Sequence, residues 1–239
     1  MIYTDSASSI ESAPTNHVLN FDLKQLVNPL QIAPSFKSTQ NLTQAGRALS
    51  LKPRRHLFVQ GAPVQTVYQV ENGVVFIYQL TKSGQRRILD FYIAGDIFGL
   101  RSGAAHQWSC QASTQVNVLA FDIEQLMEEA GADTRLIESL RVHFLAEHQR
   151  QQQHVVLLGL SASERVAGFI LNMARRTGQG DVVDLPMTRR DIADYLALTV
   201  ETVSREVTSL RQSRAIALDD VYRIRILNRP QLEDRAGWV

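Results

Sequence analysis

The chain predicts an α+β fold: an N-terminal roll of short strands, then one long helix, then a C-terminal helix-turn-helix followed by a hairpin. Three observations carry that reading. Between Leu57 and Phe121, short β-branched and aromatic runs are separated by glycines at 61, 73, 84 and 95, every 11 to 12 residues. A helical pattern runs unbroken from about Asp133 to Leu158. In the last third, Ser161-Ala-Ser-Glu164 and Thr188-Arg-Arg-Asp191 are capping boxes, the local signature of a helix start.

Composition narrows the function classes. The 239 residues are 44% hydrophobic and 21% charged, an ordinary globular balance. A net charge of +1 supplies no global field to attract nucleic acid or membrane. The single cysteine, Cys110, excludes a disulfide framework, a thiolate zinc cluster and a four-cysteine iron–sulfur site drawn from this chain alone. No apolar run reaches the roughly 18 residues of a membrane span. The first 23 residues hold no Lys or Arg and no apolar core, so a cytoplasmic protein without a membrane partner is expected.

Residues 1–20 are polar and aperiodic and predict a disordered tail. Residues 21–132 predict a sensor-like roll domain, with one or two short helices between Phe21 and about Ser50. Within it Thr66–Val70, Val74–Tyr78 and Ile88–Tyr92 read as strands. Turns at Gln60-Gly61, Asn72-Gly73, Ser83-Gly84 and Ala94-Gly95 call for positive φ, as in a roll or barrel.

Residues 133–159 predict a helix spanning nearly 40 Å at 1.5 Å per residue. Ile137, Leu140 and Phe144 have a/d-like spacing, Val155 and Leu158 resume it, and Glu147, His148, Gln151 and His154 lie between. A helix this long calls for a partner helix, most simply its own copy in a homodimer. The expected seam is Ile137, Leu140, Phe144, Glu147, Gln151, His154 and Leu158, with an intramolecular core helix as the alternative. Glu147 facing its symmetry mate would bring like charges together and tune the dimer.

Residues 160–239 predict the third unit. Helices are expected from the Ser161 box through Arg176, from the Thr188 box to about Leu196, and from Thr199 as cap to about Arg214. A hairpin follows over Ile216–Leu227, turning at Asp219-Asp220. Ile192, Ala193, Leu196, Leu198, Val203 and Leu210 face inward, the pattern of a helix-turn-helix whose second helix enters the major groove of duplex DNA. On that helix Glu201, Ser204 and Arg205 share one side. Arg205 can donate twice to guanine, Glu201 can accept from cytosine N4, and Ser204 can reach a neighbouring edge. A surface ion pair between Glu201 and Arg205, worth about 0.3 kcal/mol, is the plainer alternative. Thr188, Arg189, Arg190, Thr199, Thr202 and Arg211 are the expected phosphate contacts. Residues 161–239 hold twelve Arg, no Lys and eleven Asp plus Glu, so affinity must come from where the guanidinium groups sit.

The run Leu185 to Arg205 resembles the winged helix-turn-helix of CRP/FNR-type transcription regulators, closest to the FNR and FixK-like branch. Glu164 to Arg176 and Ile93-Ala-Gly-Asp-Ile-Phe-Gly-Leu100 resemble the same branch, so the likeness covers roughly residues 40–230. It implies a cyclic-nucleotide-binding-type β-roll, a dimerisation helix and contact with RNA polymerase. It also implies that Glu201, Ser204 and Arg205 read a palindrome resembling TTGAT-N4-ATCAA, with an activator role expected. The departures matter. Residues 1–50 contain no cysteine, which excludes the iron–sulfur mode of oxygen sensing. His106-Gln107-Trp108 replaces the Arg-Ser pair that holds a cyclic phosphate, so cyclic AMP is not expected to bind. Thr188 replaces a redox cysteine of some FixK-like members, and Ala197 stands where the interhelical turn usually has Gly.

No cofactor or metal is expected, since His143, His148 and His154 are five and six residues apart and do not stack on one helical face. Cys110 is a redox candidate, against the plainer reading of a small buried hydrophobe. The chain carries no phosphate loop, nucleophile elbow or zinc-helix motif, so it is not read as an enzyme. The alternative function is a ligand-gated regulator whose roll binds a small effector other than cyclic AMP.

Overall fold

The structure, a computed structural model, describes residues 46–100, 103–177 and 180–237. The tail expected over residues 1–20, and the helices expected after Phe21 as far as residue 45, lie outside the described residues. At the end of that expected helical stretch, Arg47–Leu51 is a strand (β1), so the roll begins ten residues earlier than the pattern at Leu57 suggests.

Eight strands form two four-stranded antiparallel sheets. One has the order β1, β8 (Val116–Asp122), β3 (Thr66–Asn72), β6 (Ile97–Phe98). The other has the order β2 (His56–Phe58), β7 (Ser109–Ala112), β4 (Val75–Leu80), β5 (Arg86–Tyr92). Val70 faces Val118 and Ile77 faces Cys110 across the ladders, and alternate residues fill the space between the sheets. The intervening residues of β3 and β4 are also buried, because each sheet is covered on its outer face. That double burial is why these strands read as continuous apolar runs instead of alternating. The four turn glycines all have positive φ, 79° to 93°. At Gly73, where the chain passes from one sheet to the other, a Cβ would stand 2.3 Å from the Gln115 carbonyl oxygen, so no side chain fits.

Two layers cover the roll. Val67, Ile97, Leu119 and Phe121 pack against Leu126 and Ala130 of α1 (Ile123–Ala132) and Leu140 of α2 (Thr134–Leu158). On the opposite face Val74, Phe76, Ile88 and Phe91 join one cluster with the C-terminal unit. That unit comprises α3 (Ala162–Thr177), β9 (Val182–Asp184), α4 (Arg189–Leu196), α5 (Val200–Gln212), β10 (Ile216–Leu218), β11 (Arg223–Ile226) and α6 (Arg229–Arg235). Its three strands pair in the order β10, β11, β9. The expected hairpin is present, turning through Asp219 to Tyr222, while β9 and α6 carry too little pattern to be read in advance.

The 25 residues of α2 correct the expected seam. Leu140, Glu147 and His154, at heptad spacing, are 4%, 5% and 8% exposed and point into their own protomer. The Tyr92 hydroxyl donates to Glu147 Oε1 at 2.6 Å, and Gln151 Nε2 lies 3.4 Å from the same oxygen. His154 stacks on the Tyr195 ring at 3.9 Å and donates from Nε2 to the Tyr195 carbonyl at 2.8 Å. A buried polar group needs such partners, and strand β5 and helix α4 supply them here. Glu147 is therefore turned toward Tyr92 of its own chain, away from the exposed face of the helix. Of the other expected seam residues, Ile137 and Phe144 are exposed, while Gln151 and Leu158 are half-buried. Leu145, Val155 and Val156 join the exposed apolar face.

Candidate nucleic-acid interface

Helices α4 and α5 are set by local chemistry. The Thr188 hydroxyl accepts from the Asp191 N–H at 3.1 Å, and the Thr188 N–H donates back to the Asp191 carboxylate at 3.3 Å, which closes the expected box. The chain then turns through Ala197, a left-handed residue with φ 52° and ψ 42°, whose N–H reaches the Ala193 carbonyl. Thr199 caps α5 by accepting from the Thr202 N–H at 3.2 Å. Ile192, Ala193 and Leu196 of α4 and Val203, Val207 and Leu210 of α5 are buried in the shared cluster, with Leu198 packed on its edge.

That packing leaves one face of α5 in solvent. Glu201, Ser204, Arg205 and Thr208 are exposed, and the first three are the expected readout set. Arg205 does not pair with Glu201. Its Nε lies 3.5 Å from Glu206 Oε1, and its side chain stays 69% exposed. The Glu201 backbone N–H and the Thr199 hydroxyl hold the Glu201 carboxyl below the usual carboxylate range, so it is anionic. The three groups are thus an acceptor, a hydroxyl and a fork donor on one helix side.

The expected phosphate residues sit at helix ends. Thr188 and Arg190 are exposed at the start of α4, with Arg189 half-buried and its pKa lowered by that burial. Thr199 is exposed and Thr202 half-buried at the start of α5, and Arg211 is exposed at its end. Elsewhere in the unit acids neutralise three arginines near the strands: Arg223 pairs with Asp184 at 2.7 Å, Arg225 with Asp219 at 2.8 Å and Arg229 with Asp181 at 2.8 Å. Among the described residues Arg189, Arg190, Arg211 and Arg214 form no ion pair. Four guanidinium groups of this nearly neutral unit thus stand without an ion pair on the two helices and just beyond them, whereas Arg165 and Arg235 are held by carbonyl and hydroxyl oxygens.

The remaining candidates resolve differently. Cys110 is fully buried inside the roll, and burial pushes its thiol pKa up, so the redox candidate becomes a small apolar group. The three helix histidines have separate neighbours: His143 lies beside the Ser139 and Gly95 carbonyls, His148 beside Gln152 and His154 beside Tyr195. Phe58, Tyr68, Tyr92 and Phe98 stack in the roll interior, and Trp108 packs beside them. No helix among the described residues is long and apolar enough to cross a membrane.

Comparison with known proteins agrees with this layout. Residues 48–132 match the cyclic nucleotide-binding domain family, and residues 164–235 match the Crp-like helix-turn-helix domain family. The nitrogen fixation regulation protein FixK of Rhizobium meliloti is 38% identical over 177 residues, 74% of this chain and 81% of that protein. The fumarate and nitrate reduction regulatory protein of Escherichia coli K12 is 33% identical over 188 residues, 76% of this chain and 75% of that protein. The structure of FixK2 from Bradyrhizobium japonicum superposes with a TM-score of 0.74 at 35% identity, covering 79% of this chain and 96% of that one.

Proposed function

Since this chain belongs to the CRP/FNR family of transcription regulators, we propose that it acts as a homodimer on an inverted repeat resembling TTGAT-N4-ATCAA. Glu201, Ser204 and Arg205 read base edges, and Arg189, Arg190, Thr199, Thr202 and Arg211 position the unit on phosphates, joined by Thr188 at the cap of α4. The observation that carries this reading is the shared exposed face of α5, where all three readout side chains stand free of one another. The exposed row of Ile137, Phe144, Leu145 and Val155 on α2 provides the dimer contact. The protein works in the cytoplasm, contacts RNA polymerase and activates transcription. A small effector in the roll is the lesser reading, because aromatic side chains already occupy the interior.

The test is binding of the purified full chain to the palindrome and to scrambled duplex, followed by fluorescence anisotropy. Arg205→Ala is expected to lose about 1–3 kcal/mol on the palindrome and to relax preference at the guanine. Equal loss on scrambled DNA would reduce Arg205 to a phosphate contact, and absence of any palindrome preference in the unaltered protein would overturn the proposal.

A further inference from the structure

Two guanidinium groups tie the C-terminal unit to the roll: Arg176 of α3, whose Nη2 lies 2.7 Å from Asp96 Oδ2 and donates to the Phe91 carbonyl at 2.7 Å, and Arg86, which reaches α4. Arg86 opens β5, just after the turn from β4. Its Nη2 lies 2.5 Å from Asp191 Oδ1 and 2.7 Å from Asp194 Oδ2, and its Nε donates to Asp194 Oδ2 at 2.8 Å. The two carboxylates are three residues apart on α4, so they share a helix side and one fork serves both. From the roll side, the Phe76 ring lies under the Arg86 head at 4.8 Å, and Gln111 Oε1 is 3.5 Å from Nη1. The Ser113 hydroxyl, in the turn after β7, donates to Asp191 Oδ2 at 3.0 Å. That same carboxylate oxygen closes the capping box of α4. The Arg86, Asp191 and Asp194 side chains are 23%, 8% and 15% exposed, so water screens the contact little.

The apolar cluster beneath these contacts is non-directional and tolerates sliding, and Arg176 anchors α3, which leaves Arg86 as the fork that fixes α4. A planar fork bridging two carboxylates fixes direction and register. One route from recognition helix to dimer helix runs from α5 through Ala197 to α4, across Arg86 to β5, and by Tyr92 and Glu147 to α2, beside the direct contact of Tyr195 on α4 with His154 on α2. We infer that Arg86, with Asp191, Asp194 and Ser113, is a positioning latch that sets the separation of the two recognition helices and hence the half-site spacing the dimer accepts. The inference rests on the DNA-binding reading above and extends it from which bases are read to how far apart.

Two measurements on the full chain test it. In the first, Lys52→Cys and Gln212→Cys, both exposed, carry spin labels while Cys110 stays buried. The distance distribution between roll and α5 is narrow in the parent and broadens with Arg86→Ala; an unchanged width overturns the latch whatever the DNA result. In the second, binding is measured on inverted repeats that differ only in spacer length. Arg86→Ala loses roughly tenfold or more of the preference for the parent's best spacer while keeping the bases preferred within each half-site. Exchange of the charges, Arg86→Asp with Asp194→Arg, restores the preference in part. Undiminished spacer preference in Arg86→Ala overturns the latch, as does an equal loss on every spacer with the distance distribution still narrow. Broadening without palindrome binding in the parent would instead sink the DNA reading and leave the latch as an interdomain contact only.

Discussion

The two faces of α2 are built in opposite ways. One carries Leu140, Glu147 and His154, mostly polar and buried, with partners from β5 and α4 of the same protomer. The other carries Ile137, Phe144, Leu145, Val155 and Val156, all apolar and all exposed, Val155 to 71%. A lone surface helix would show the reverse distribution. The polar face is specific because each buried group demands one stated partner, whereas the apolar face demands only that water be excluded. The first orients the helix within its protomer, and the second calls for another apolar surface.

The largest effect should come from placing a charge on the apolar face. Val155→Glu is expected to weaken self-association by about 3 kcal/mol, roughly a hundredfold or more, with little change in the melting of the protomer. Sedimentation equilibrium checks this, and an unchanged association constant would remove this face from the dimer contact. On the polar face Tyr92→Phe takes away the hydroxyl that serves Glu147 and should cost about 1–3 kcal/mol in urea unfolding. Glu147→Ala should likewise lower protomer stability without tightening the dimer; tightening would restore the seam role expected of Glu147.

A smaller effect concerns pH. Burial lowers the His154 pKa below 6.5, although the Tyr195 carbonyl, Asp90 and the Leu89 carbonyl pull the other way. Below that pH the unfolded chain takes up the proton more readily than the folded one. The His154 contribution is therefore present above the ordinary imidazole pKa and is lost as pH falls toward the folded value. His154→Gln should flatten that part of the stability curve, and an unaltered acid limb would show that another group controls it. The smallest effect lies away from both faces: Ala197→Gly should raise stability by about 0.5–1 kcal/mol, because a Cβ is strained at φ 52°. Thermal unfolding reads that gain directly.

Helix starts in the C-terminal unit were legible because Ser161, Thr188 and Thr199 satisfy N–H groups within three residues of themselves. The exposed face of α5 followed from helical spacing once those starts were placed. The face of α2 was not legible in the same way. Spacing places Leu140, Glu147 and His154 on one row but says nothing about which neighbour meets that row, and the deciding partners, Tyr92 and Tyr195, are 55 and 41 residues distant from Glu147 and His154. Arg86 stayed hidden for the same reason, since its carboxylates lie 105 and 108 residues further along. Strand β1 lacked the aromatic and β-branched content that marked β3 to β5, and only its pairing with β8 makes it a strand.

Phe91 contacts both Phe169 and Tyr195, inside a cluster that takes residues from β4 and β5 as well as from α3, α4 and α5. The interior of the C-terminal unit is thus continuous with the outer face of one roll sheet, so heating should give one calorimetric transition, and a fragment starting at Ser161 would lay bare an oily scar and clump.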